Sequence, residues 1–229
     1  MASGDGAIVL LSAGLDSTTA LALALEAGPI RLALTIDYGQ RAARREVEQA
    51  RRIAGHYGVS HRVVALDFFA TLPSGALVDA TAELPRPDRA TLDRGGAAVA
   101  ASADRVWVPN RNGVFIEVAA AFAEALGAGR VVVGFNREEA ATFPDNSAGY
   151  LEAMNGALRF STRGKVRLES PTAALDKVEI VRAAVARGVP LELAWPCYEG
   201  GAAPCGTCES CQRFRRAVER AGARVSFGA

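Results

Sequence analysis

The chain has 229 residues, 50% of them hydrophobic, and carries 26 basic against 25 acidic side chains. That length suits one main α/β domain with a real core, and the near-balance of charge offers no field to hold a nucleic-acid backbone through counterion release. No apolar run approaches the ~20 residues that span a bilayer, and the start MASGDGAIVLLSAG lacks the basic flank of a secretory signal, so a cytoplasmic protein without a membrane partner is expected.

In chain order, short runs rich in Val, Ile and Leu at 7–11, 31–36, 62–66 and 130–134 read as buried strands. Helical spacing appears between and after them. Residues 16–27 open with Asp-Ser-Thr-Thr and then run apolar, 40–57 put Val47, Ala50, Ala54 and Tyr57 on one face, and 112–126 repeat Phe115, Val118, Ala119, Phe122 and Leu126. Further helices are expected at 147–161, 176–187 and 209–221, whereas 69–103 lack sustained periodicity and read as a long loop, either a lid or mobile. Strands alternating with helices predict a doubly wound parallel sheet whose ligands bind beyond the strands' carboxyl ends. The expected division is a nucleotide-binding part, 1–190, and a cysteine-bearing segment with its helix, 191–229.

The first strand runs into a Ser/Gly turn and a helix: Leu10-Leu11-Ser12-Ala13-Gly14-Leu15-Asp16-Ser17-Thr18-Thr19-Ala20. Unpaired N–H groups at such a helix start, with the hydroxyls of Ser12, Ser17 and Thr18, suit a phosphate. A Walker loop is excluded, because the Gly-Lys-Ser/Thr ending is missing and the chain's two lysines lie far away, at 165 and 177. Taken alone, the segment also reads as an ordinary capped turn.

Other strand ends carry polar groups. Asp37-Tyr38-Gly39-Gln40 stands where a purine ring could be met, or simply ends a strand; Asn112 caps a helix or Arg111 beside it holds an anion bidentately. Asn136, Glu138, Glu139 and Asp145 cluster with Phe143, a grouping suited to Mg²⁺ or to the polar edge of a heterocycle stacked on the ring. Lys177 opens a helix, where a cation opposes the dipole. Cys197, Cys205, Cys208 and Cys211 are the chain's four cysteines. Their spacing in one Gly/Pro-rich segment suits a structural tetrahedral Zn²⁺, with iron–sulfur ligation the alternative.

The strand-borne SAGLDS resembles the SGGxDS signature of the ATP-pyrophosphatase (PP-loop) superfamily, with Ala13 in place of a glycine. Within that superfamily, the blocks Thr35–Arg41, Val108–Gly113, Gly134–Glu139, Phe143–Asn146 and Trp195–Gly200 resemble the 7-cyano-7-deazaguanine synthases in one order along nearly the whole chain. The resemblance implies an adenine-nucleotide alpha-hydrolase-like fold and an ATP- and Mg²⁺-dependent ligase. It would join 7-carboxy-7-deazaguanine and ammonia through adenylylated acid and amide, in queuosine and archaeosine precursor synthesis, as a homodimer. It further implies catalytic roles for Asp16, Ser17 and Lys177, ATP on the loop 10–20, and substrate contacts from Tyr38, Gln40, Arg111, Asn112, Asn136, Glu139, Phe143 and Asp145. Another PP-loop enzyme, an amide-forming synthetase or a tRNA thiolase, is the alternative.

Overall fold

The computed structural model describes residues 6–226 except Ser74 and Gly95. Among the described residues five parallel strands form one sheet: β1 (Ala7–Leu10), β2 (Ile30–Asp37), β3 (His61–Ala65), β4 (Arg130–Val132) and β5 (Arg167–Glu169). Their order is β3-β2-β1-β4-β5, so the chain builds outward on one side of β1 and then continues on the other. Between β1 and β4 the order reverses, and connections leaving in opposite directions open a crevice at the carboxyl ends.

The helices are α1 (Leu15–Glu26), α2 (Ala43–His56), α3 (Arg89–Arg94), α4 (Ala97–Arg105), α5 (Arg111–Leu126), α6 (Arg137–Ala140), α7 (Ala148–Ser161), α8 (Lys177–Ala186) and α9 (Glu209–Arg220). They divide between the two faces as the strand alternation dictates. Ala7, Val9, Ala33 and Val132 point to one face, against Leu21 of α1 and Ile53 of α2. Ile8, Leu34, Ile36 and Val131 point to the other, against Ile116 and Ala119 of α5 and Leu158 of α7. A third apolar layer joins Leu15 and Ala22 of α1 to Ile180 and Val181 of α8 and Phe214 of α9. No helix among the described residues is long and apolar enough to cross a membrane.

The four expected strands and six expected helices are present, with ends shifted by a few residues. Three features differ, the first being α6, whose four residues are too few to show a period. β5 is a three-residue edge strand in which Leu168 is buried between Arg167 and Glu169, too short and too charged to show an apolar run. Residues 69–103 are not the loop expected from their composition: they hold α3 and α4 and bury Phe69, Leu77, Leu84, Leu92 and Val99. Helices of six and nine residues are too short to be stable alone or to show a period. Tertiary contacts order them instead, including a bond from Arg216 of α9 to the Leu92 carbonyl at 3.1 Å.

Candidate active site

A cavity of about 290 Å³ occupies the crevice. One end is the turn from β1 into α1. Gly14 caps α1 without a side-chain bond, and Thr18 N–H is the first to find an intrahelical carbonyl, Gly14 O at 3.1 Å. The N–H groups of Leu15, Asp16 and Ser17 therefore head the helix with no acceptor among the described residues, at the positive end of its dipole. Ser17 Oγ accepts from Ser12 N–H (3.2 Å) and lies 3.1 Å from Ser12 Oγ, which closes the turn into a cradle. Such a cradle is an anion site.

The chain just beyond β4 must come very close for this geometry. A methyl on Gly134 would sit 2.6 Å from Ser17 N and 2.7 Å from Asp16 C, contacts that side chains do not make. Gly134→Ala should therefore push the start of α1 out of place and lower kcat/KM for the phosphate-bearing substrate about 10²-fold. Steady-state kinetics on the folded variant checks this, and an unchanged value would mean that the α1 start is not positioned by the segment after β4.

Lys177 opens α8 behind a capping box, in which Asp176 Oδ1 accepts from Glu179 N–H (2.9 Å) and Glu179 Oε2 accepts from Asp176 N–H (2.8 Å). Asp176 and Glu179 also bind Arg137, so the lysine is left to turn inward. It is 7% exposed, and its Nζ donates to Asp16 Oδ2 and to Glu139 Oε1, each at 2.5 Å. Burial pushes the Asp16 carboxyl up to about 6 against the pull of Lys177, with the Glu139 charge adding to the rise. Glu139 is desolvated too, but Lys177 more than compensates and holds it below the ordinary value. A buried ammonium thus joins two carboxylates beside the cradle, and Asp16 Oδ1 is buried with no hydrogen-bond partner among the described residues.

The other end of the cavity is aromatic and cationic. Tyr38 packs on Phe69 and Phe115, and the Arg111 guanidinium lies 5.6 Å over the Tyr38 ring while its Nη1 donates to the Tyr38 hydroxyl at 3.1 Å. Arg111 makes no ion pair among the described residues. A guanidinium with five donors, held by one phenol, is an open receptor for a carboxylate or phosphate. Asn112 lines the same wall and donates to Asp145 Oδ2 at 2.9 Å.

The cysteine segment closes the remaining side. Trp195 N–H donates to the Ala13 carbonyl (2.8 Å), and Trp195, Pro196, Cys197 and Tyr198 line the cavity. The four sulfurs lie within 4.8 Å of one another; Zn–S bonds of ~2.3 Å put tetrahedral sulfurs ~3.8 Å apart, so the donor set fits one tetrahedral ion. Cys197 Sγ accepts from Glu199 N–H and Cys205 N–H, both at 3.3 Å, and Cys205 Sγ from Cys208 N–H at 3.3 Å. Bonds from the Cys208 and Cys211 thiols and these N–H groups pull the Cys197 thiol far down. N–H bonds to sulfur of this kind support thiolate ligands.

With the geometry in view, comparison with known proteins is informative. The model of the family described as queuosine biosynthesis protein QueC matches residues 6–222. The chain belongs to the QueC family. It is 52% identical over 218 residues to the 7-cyano-7-deazaguanine synthase of Pelotomaculum thermopropionicum, covering 95% of this chain and 98% of that one. To the enzyme of the same name from Methanosarcina barkeri it is 48% identical over 222 residues, covering 95% of each. The fold is also that of NMN synthetase from Francisella tularensis, with a TM-score of 0.51 at 15% identity, over 98% of this chain and 80% of that one.

Of the residues singled out in this QueC chain by sequence, Leu10, Leu11, Ser12, Gly14, Leu15, Asp16, Ser17, Tyr38, Gln40, Arg111, Asn112, Glu139, Phe143 and Lys177 line the cavity. Others do not. Thr18, Thr19 and Ala20 are each 0% exposed on the core side of α1. Asn136 is buried as the cap of α6, accepting from Glu139 N–H at 2.9 Å. Asp145 stands behind Asn112. Sequence reasoning missed Glu46, Asn146, Trp195, Tyr198 and Arg213 as lining residues. Glu46 was hidden because an acid in the first turn of a helix already has an explanation in the dipole. Arg213 was hidden because it pairs with Glu209 four residues earlier.

Ala13 bears on the loop. Its φ is 63°, a left-handed conformation that costs alanine about 1–2 kcal/mol. Its methyl, however, is fully buried against the Trp195 layer, which contributes about 0.8 kcal/mol, and glycine would add about 0.4–1 kcal/mol of unfolded-state freedom. These terms nearly cancel. Ala13→Gly should shift stability by less than about 1 kcal/mol and KM by less than about fivefold, as denaturant melts and ATP titration would show.

Proposed function

We propose that this QueC chain is an ATP-dependent carbon–nitrogen ligase that converts 7-carboxy-7-deazaguanine and ammonia into 7-cyano-7-deazaguanine. The observation that carries the reading is the meeting, in one cavity, of the SAGLDS cradle with Lys177 at one end and the unpaired Arg111 guanidinium at the other. A carboxylate oxygen attacks the ATP α-phosphorus, the bond to pyrophosphate breaks, and an acyl adenylate forms. Ammonia displaces AMP and leaves the amide. A second ATP adenylylates the amide oxygen, and loss of two protons with AMP yields the nitrile.

The chain contributes position and charge. The N–H groups of Leu15, Asp16 and Ser17 and the Lys177 ammonium hold phosphate oxygens, which favours the departing pyrophosphate. Arg111 orients the reacting acid, since a partly buried guanidinium without an ion-pair partner among the described residues gains from an anion that replaces its lost hydration. Asp16, with its partnerless Oδ1, and Glu139 fit Mg²⁺, which they would hold and which would neutralise phosphate charge. The cysteines hold Zn²⁺, which fixes the wall formed by Trp195–Tyr198 and takes no part in the chemistry. Residues 1–190 bind the nucleotide, and 191–229 complete its site. A cytoplasmic homodimer belongs to the same proposal, and sedimentation at twice the chain mass would support its second half.

The test is an incubation of zinc-replete protein with ATP, Mg²⁺, ammonium and 7-carboxy-7-deazaguanine, read by mass spectrometry. A nitrile with two AMP per turnover is expected. An unchanged acid would overturn the substrate assignment.

A further inference from the structure

Gln40 lines the cavity, yet its amide is fully engaged within the protein. Its Oε1 accepts from Tyr38 N–H (2.9 Å), and its Nε2 donates to the Ile36 carbonyl (3.2 Å) and to Glu46 Oε2 (2.7 Å). Both amide hydrogens are used and the side chain is 5% exposed, so Gln40 has no donor left to offer a ligand. It acts as a bracket that sets the orientation of Glu46.

Glu46, in the first turn of α2, faces the same cavity. Gln40 fixes one carboxylate oxygen; the other has no protein donor, and the carboxylate has no ion-pair partner, among the described residues. Burial pushes the carboxyl up to about 7, opposed by the Gln40 bond and the Arg111 charge. A desolvated carboxylate held in register by an amide, with an oxygen to spare, is an acceptor waiting for donors. The dipole of α2 explains an acid in its first turn, but it does not explain a place in the cavity wall or a dedicated bracket.

We infer that Glu46 is the specificity-determining residue of this site, accepting the adjacent ring N–H and exocyclic amino donors of an amidine-type edge on a planar heterocycle. A carboxylate is acceptor-only and can take two neighbouring donors at once. Arg111 and Glu46 then read opposite properties of one ligand: an anion by the guanidinium and a pair of donors by the carboxylate. The inference rests on the proposed substrate, whose deazaguanine ring carries that edge at its N1–H and 2-amino group.

The experiment compares kcat/KM at saturating ATP for 7-carboxy-7-deazaguanine and for the same acid lacking the 2-amino group, in the wild-type chain and in Glu46→Gln. A site built around a hydrogen-bonding group rejects the analogue without it, so the wild-type chain should prefer the amino compound by about 10²-fold or more. Glu46→Gln keeps an acceptor for Gln40. It should lose about 10²-fold with the amino compound and clearly less, about tenfold, with the analogue, which keeps only the ring N–H for the carboxylate, because the two deletions share the 2-amino contact. Equal loss with both compounds, or no loss with either, would overturn the inference. So would a wild-type preference below about threefold, which needs no folded variant. Absence of turnover of either acid by the wild-type chain would instead overturn the proposed reaction, and this inference with it.

Discussion

Lys177→Met should slow ATP consumption by about 10²–10³-fold, the usual effect of removing one charged donor from a preorganised site, while leaving the metal content of the cysteine cluster unchanged. The side chain is 9% exposed and joins Asp16 to Glu139; without it, two desolvated carboxylates face each other with only the more distant Arg213 and Arg111 charges to offset them. Removing one partner from a buried ion pair destabilises by about 3–5 kcal/mol. That loss should depend on pH with a definite sign. Asp16 already holds its proton to about 6, against an ordinary 3.8, and loss of the lysine removes a downward pull on both Asp16 and Glu139. In the variant the folded chain therefore binds more protons than the unfolded chain from the ordinary carboxylate range up through the raised values. Stability must fall as pH rises across that window. Denaturant melts of Lys177→Met at pH 5 and pH 8 should differ by more than those of the wild-type chain, with the variant weaker at pH 8. Equal melts at the two pH values would show that the carboxylates are relieved in some other way, and undiminished ATP consumption would remove Lys177 from the phosphate site.

Cys208→Ser has the second large effect. Structural zinc contributes folding free energy outright, and Cys208, fully buried at the cap of α9, is one of the four proposed ligands. A loss of about 3 kcal/mol would lower Tm by about 6–12 °C in a chain of this size, with metal per chain falling below one. Because Trp195 N–H anchors on the Ala13 carbonyl at 2.8 Å, KM for ATP should rise as well. A full metal ratio in the variant would remove Cys208 from the cluster, and a coloured wild-type protein would favour iron–sulfur over zinc.

The parts of the site that were legible in the sequence are the contiguous ones. The strand, turn and helix start of residues 8–19 form from neighbours alone a cradle suited to an anion, and the four cysteines lie within one short segment, so spacing sufficed. What stayed hidden depends on pairings between distant positions. Lys177 meets Asp16 across 161 residues, and local context offered only a cation misplaced at a helix start. Gln40 carries the polarity expected of a ligand contact, but nothing in its neighbours shows that Tyr38, Ile36 and Glu46 use up its amide. β5 escaped because its pairing with β4, flanked by the Arg130–Glu169 ion pair at 2.8 Å, orders three residues that have no apolar run. The same holds for α3 and α4, whose buried side chains acquire meaning only against α9.

The fastening between the middle of the chain and its last part has a consequence for biosynthesis. Arg86 reaches Glu199 and Thr207, Glu209 N–H donates to the Pro85 carbonyl at 3.1 Å, and the Glu209 carboxylate binds Ser102. Trp195, Tyr198, Arg213 and Phe214, all cavity-lining, are synthesised after the whole sheet. A ribosome that has released only the first 190 residues therefore presents the sheet and the SAGLDS turn with one wall of the nucleotide site missing, and with α3 and α4 lacking the helix they pack on. Closure of the cavity wall and the ordering of α3 and α4 therefore wait until the cysteine-bearing segment has emerged.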